Sequence, residues 1–105
     1  MGIPLEYHDI RQLKLWRRQI LDVYDAYKDV FGEYGLDEDL RSLLNSLDNL
    51  LNTLSTKLSY QLMVARVREF LEELDRFRMY SSMYLGMIAE QLYRDVKEVI
   101  DVVLI

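Results

Sequence analysis

His8 is the only histidine of the chain; it stands directly before Asp9, and Arg11 follows two residues on. An imidazole in that setting has the means to attack a phosphoryl group, with the carboxylate as its base and the guanidinium drawing in the phosphate. Other chemistries find no support. There is no cysteine, so neither a disulfide nor a thiolate metal site can form. A carboxylate-bridged pair of metal ions in a helical protein wants Glu-x-x-His spacing, which is absent. Glu69, Glu72 and Glu73 instead alternate with Arg68 and Arg76, the pattern of a solvated, ion-paired helix face. No glycine-rich phosphate loop and no nucleophile elbow is present. The expectation is a protein that is not an enzyme on its own and needs no cofactor or metal.

The four residues His8 to Arg11, HDIR, resemble the phosphoacceptor box of histidine kinase dimerisation domains. In that family the box lies on the first helix of a dimerising helical hairpin, so the resemblance implies His8 as the phosphoacceptor. Gln12 and Leu13 stand where the family often carries proline or asparagine. The resemblance covers these four residues alone.

The elements that must position such residues are helices. Leu40, Leu44, Leu47, Leu51, Leu54 and Leu58 recur at alternating steps of four and three, flanked by Leu36, Leu43 and Leu50. A heptad seam of this kind exists to pack against other helices. A second seam in a shifted frame runs through Tyr60, Met63, Val67, Phe70, Leu74, Phe77, Ser81, Tyr84 and Ile88. The frames conflict, which predicts a break near Ser55 to Ser59. Before them, residues 4 to 31 read as a first helix begun at Pro4, with Leu13, Trp16, Ile20, Val23, Tyr24, Tyr27, Val30 and Phe31 on one side. Gly32 and Gly35 mark a turn, and Asp37 is the predicted N-cap of a second helix over 37 to 55. From Tyr60 onward only Gly86 interrupts, so the rest is either one rod or two helices bent near SSMYLG.

Charge is distributed unevenly. Arg11, Lys14 and Arg18 line the face of the first helix opposite Leu13, Trp16 and Ile20; Arg17 is at its flank, and Leu15 points into this basic face. Residues 22 to 48 carry eight acids against two bases, a net of -6. Positive charge therefore precedes negative along the first helix, against the preference of its macrodipole. Two copies associating antiparallel or head to tail would pair the two regions, which points to a homodimer. The basic face is also the place where a nucleic acid would bind, although a net charge of -5 disfavours coating one with the whole surface. Tyrosines on the seams suit a subunit interface. Met79, Met83 and Met87 form a further stripe at i, i+4 and i+8, suited to core or to an adaptable docking surface, with Ser82, Gly86 and Ala89 as a small-residue face beside it.

The 105 residues suit one domain, 1–105, and half of them are apolar, ample for a core. No apolar run approaches the roughly 20 residues that span a bilayer. Nor does the N-terminal stretch show a basic region followed by an apolar one, so a cytoplasmic location is expected. The reading is an all-α bundle of three or four long amphipathic helices with coiled-coil-like packing. Its expected work is protein–protein interaction, with Trp16, Leu40, Leu44, Leu47, Leu51 and Leu54 as the packing seam. Arg11, Lys14, Leu15, Arg18, Met79, Met83 and Met87 are the candidate partner-binding residues; the partners are a second copy and another protein, or else a nucleic acid.

Overall fold

Seam, turn and glycine signals divide the chain into five helices. The computed structural model describes residues 7–56 and 60–101, and side chains within 10–55 and 61–100. The helices are α1 (Tyr7–Ala26), α2 (Lys28–Glu33), α3 (Leu36–Thr56), α4 (Tyr60–Leu85) and α5 (Met87–Asp101). No strand occurs among the described residues. Pro4, Leu58 and the side chain of Tyr60 lie outside them.

The first helix expected over 4 to 31 is broken at Tyr27, whose backbone leaves the helical region with φ -123° and ψ 31°. Aromatic packing accounts for the break. The bend carries Phe31 to full burial, edge-on to Tyr24 with ring centroids 5.1 Å apart and stacked on Phe77 at 6.3 Å. Tyr27, placed on the buried stripe by its spacing, is left exposed at the outside of the bend.

Helix α3 starts at Leu36, one residue earlier than expected, directly after Gly35 at φ 69°. Asp37 is therefore not the N-cap. Burial of Leu36 in the core draws the helix start back, and Asp37, Glu38 and Asp39 occupy the first turn, where they complement the positive end of the dipole. The buried line of α3 is centred on Leu36, Leu40, Leu43, Leu47 and Leu50. Leu51 is also buried, while Leu44 and Leu54 are only partly so. The side of α3 turned inward is thus rotated from Leu44 and Leu54 toward Leu43 and Leu50. Helix α3 ends at Thr56 and α4 begins at Tyr60, which places the change of seam frame between them.

On α4, Met63, Val67, Phe70, Leu74, Phe77 and Ser81 are buried, and then Leu85 takes the inward position expected of Tyr84. The helix stops there. Gly86 adopts φ 57°, a left-handed conformation that glycine takes without the Cβ clash of other residues, and α5 starts immediately after it. Of the rod and the bent pair, the structure has the pair. The 26 residues of α4 rise about 39 Å at 1.5 Å each, nearly the 42 Å length of the molecule, so α5 folds back alongside. Arg78 of α4 lying 4.2 Å over the ring of Tyr93 on α5 agrees with this.

Helix α3 packs most extensively on α4, α4 on α5, and α1 rests against α5 and α3. Trp16 joins the layers. Its indole N–H donates to the Leu92 carbonyl of α5 at 2.9 Å, and its ring meets Phe70 of α4 edge-on at 5.8 Å. Buried hydroxyls are satisfied within their own helices: Ser46 donates to the Leu43 carbonyl, Thr53 to Asn49 and Ser81 to Phe77. No described helix is long and apolar enough to cross a membrane.

Two stability predictions follow from this packing. Trp16→Ala should cost about 3–5 kcal/mol in denaturant unfolding, the usual penalty for emptying a large aromatic site. Gly86→Ala should cost about 1–2 kcal/mol, the price of a left-handed L-residue, because nothing lies within 4 Å of a Cβ built there. Asn at position 86 should lose less than Ala.

Candidate functional site

The basic face of α1 is formed as its spacing requires. Leu13, Trp16 and Ile20 are buried, and Arg11, Lys14, Leu15 and Arg18 are exposed on the opposite side. Leu15 also lines a groove of about 310 Å³ between α1 and α5, together with Gln12, Gln19, Asp95, Glu98 and Val99. Among the described residues, Arg11, Lys14 and Arg18 form no ion pair, including the Arg18 to Asp22 pair that helical spacing permits. Arg17 behaves differently. It leaves this face for α3, donating from Nε and Nη2 to the two carboxylate oxygens of Asp48 at 2.9 and 3.2 Å. One base of the cationic segment and one acid of the anionic block thus neutralise each other inside the chain.

That bridge crosses a groove of about 440 Å³ between α1 and α3, where Tyr24, Asp37 and Arg41 also lie. The Tyr24 hydroxyl donates to the Asp37 carboxylate. This hydrogen bond, then the negative charge of Asp37, raises the phenol above the ordinary tyrosine value of 10.0. Asp37 Oδ1 is buried without a hydrogen-bond partner among the described residues. The groove holds carboxylates, guanidinium groups and the Tyr24 phenol. Among the described residues, no three of His, Cys, Asp and Glu come close enough to hold a metal ion. The side chains of His8 and Asp9 lie outside the described residues.

Among the described residues, Met79, Met83 and Met87 are the most outward of the large apolar side chains, 66, 79 and 87% exposed. They are not core. Helix α4 turns Phe77, Ser81 and Leu85 inward, which sets Met79 and Met83 on its outer side. Met87 continues the patch from the first residue of α5, across the Gly86 joint. The break divides the small residues: Ala89 is buried, Gly86 is exposed at the joint, and Ser82 is partly buried, so they share no single face. Tyr80 and Tyr84 are exposed beside the methionines, and Tyr84 stacks on Tyr34 of the α2–α3 turn with centroids 3.9 Å apart and planes 15° from parallel. The aromatic members were missed from the sequence because Tyr84 falls in register with the buried seam. Leu85, one residue on, fills the inward position instead. Seam register was the wrong guide there; the Gly86 stop signal was the better one.

No family model, curated protein or solved structure matches the chain.

The Tyr24 hydrogen bond makes a pH prediction. A phenol whose value is raised by folding contributes stability that is complete below its unfolded value and is lost as pH rises through the folded one. Wild type should therefore be more stable than Tyr24→Phe at neutral pH, and the gap should close above pH 10. Denaturation midpoints of the two proteins across that range provide the measurement.

Proposed function

We propose that the protein is a non-enzymatic protein–protein interaction module that works through exposed helix faces and acts as a homodimer. In this reading α1, α3, α4 and α5 form a bundle with coiled-coil-like packing, and the Leu40, Leu47 and Leu51 side of α3 is its inner seam. The observation that carries the interaction-module reading is the outward Met79, Met83 and Met87 patch with Tyr80 and Tyr84. A protein that holds its most adaptable apolar side chains in solvent has a surface suited to a partner rather than to a reaction.

The charges of α1 support self-association. Arg11, Lys14, Asp22 and Asp25 are all exposed on the outer side of that helix, basic first and acidic later. Laying two copies of α1 antiparallel sets Arg11 and Lys14 of one opposite Asp25 and Asp22 of the other about a two-fold axis, four opposite-charge pairings against the single like-charge meeting of the two Arg18 side chains at the axis. A second reading is favoured by one observation, the unpaired state of Arg11, Lys14 and Arg18 among the described residues: the same face would suit a phosphate backbone.

Light scattering on a size-exclusion column should give about 25 kDa, twice the 12.6 kDa of the chain. The double variant Arg11→Glu, Arg18→Glu should run as a monomer with unchanged helicity and melting temperature. A monomeric wild type removes the homodimer. A nucleic acid that shifts in a low-salt gel with wild type, and not with the double variant, would make the second reading the correct one.

A further inference from the structure

We infer that the Met79, Tyr80, Met83, Tyr84 and Met87 face is the docking surface for a cationic amphipathic helix of a different protein. The inference rests on the interaction-module reading and names what one face of it takes. The charge around the patch selects the partner. Between Arg78 and Arg94 there is no lysine or arginine, and the one charged residue is Glu90, in the first turn of α5. On the other flank, the stacking of Tyr34 on Tyr84 brings the α2–α3 turn against the patch, with exposed Glu33 next to Tyr34 and exposed Glu38 just beyond.

The bases just before the patch and Lys28 ahead of the α2–α3 turn already have partners, while the exposed Arg94 and Arg41 stand beyond Tyr93 and Glu38. Arg76 pairs with Glu73, Arg78 lies between Asp75 and the Tyr93 ring, and Lys28 pairs with Asp25. An apolar centre with an acidic rim is complementary to a helix with apolar residues at i and i+4 and lysine or arginine beside them. Methionine suits the centre because its unbranched thioether repacks around differing side chains.

A second copy fits this surface poorly. Two such faces brought together would oppose Glu33 and Glu90 to their own kind, which is repulsive. The basic face of α1 offers a single exposed apolar residue, Leu15, too little to cover the methionines.

A fluorescently labelled synthetic helix of leucine and lysine, titrated into the full chain and followed by anisotropy, tests the proposal. Wild type should bind it, and the variant Met79→Glu, Met83→Glu should bind at least about tenfold more weakly. Both positions are so exposed that the fold should survive, and far-ultraviolet circular dichroism checks that it does. Charge reversal at Glu33 and Glu90 should also weaken binding, and a leucine–glutamate helix of equal length should not bind. Equal affinity for the methionine variant, equal affinity for the acidic helix, or no binding by wild type would each overturn the proposal. Conversion of a wild-type dimer to a monomer by Met79→Glu, Met83→Glu would also overturn it, by showing that a second copy occupies the face. If wild type ignores the peptide yet remains a dimer that Arg11→Glu, Arg18→Glu dissociates, this inference fails and the interaction module stands. Loss of both behaviours removes both.

Discussion

The structure depends on one side chain reaching across three helices. Trp16 leaves α1, gives its N–H to the Leu92 carbonyl of α5 and sets its ring edge against Phe70 of α4. Burying so large an apolar ring is strongly favourable, but burying its N–H without an acceptor costs a few kcal/mol. The Leu92 carbonyl removes that cost only if α5 lies back against α1. The return of α5 at Gly86 and the seating of α1 are therefore one constraint. Phe31 plays a similar part at the end where α2 sits, and the bend at Tyr27 is what lets it reach Tyr24 and Phe77.

Legibility in the sequence followed the strength of the periodic signal. The all-helical class, the α3 seam and the inward positions of α4 up to Ser81 are visible as steps of three and four. Each fixes a face to within about one residue, and the rotation of α3 toward Leu43 and Leu50 is an error of that size. Breaks were harder. Gly86 announced itself by type, but Tyr27 carries no breaker signal, because the bend there is set by where Phe31 packs, a tertiary preference that outweighs local propensity. Asp37 was misplaced for the same kind of reason: Leu36 is worth more in the core than as a residue preceding the helix.

The candidate surfaces were only partly legible. Exposure of Arg11, Lys14, Leu15 and Arg18 follows from the helical wheel once Leu13, Trp16 and Ile20 point inward. The departure of Arg17 toward Asp48 does not, since it depends on how α1 leans on α3. This half-exposed pair contributes little to stability, on the order of 0–1 kcal/mol. It does explain part of the charge order that opposes the macrodipole of α1: an arginine in mid-helix is placed to meet an acid on α3. The methionine stripe was ambiguous between core and surface because Met serves both, and only the inward positions of Phe77, Ser81 and Leu85 decide it.

Placing methionine outside also opens the patch to oxidants. Thioether susceptibility rises with exposure, and conversion to the sulfoxide turns a flexible apolar side chain into a polar one. Met63 lies in the core, 7% exposed, while Met79, Met83 and Met87 stand in solvent. Mild peroxide would therefore act on the outer face first and change its wetting while leaving the packing around Trp16 and Phe70 intact. The apolar character of that face is thus chemically reversible in a way a leucine or phenylalanine surface could not be, since reductases return the sulfoxide to the thioether.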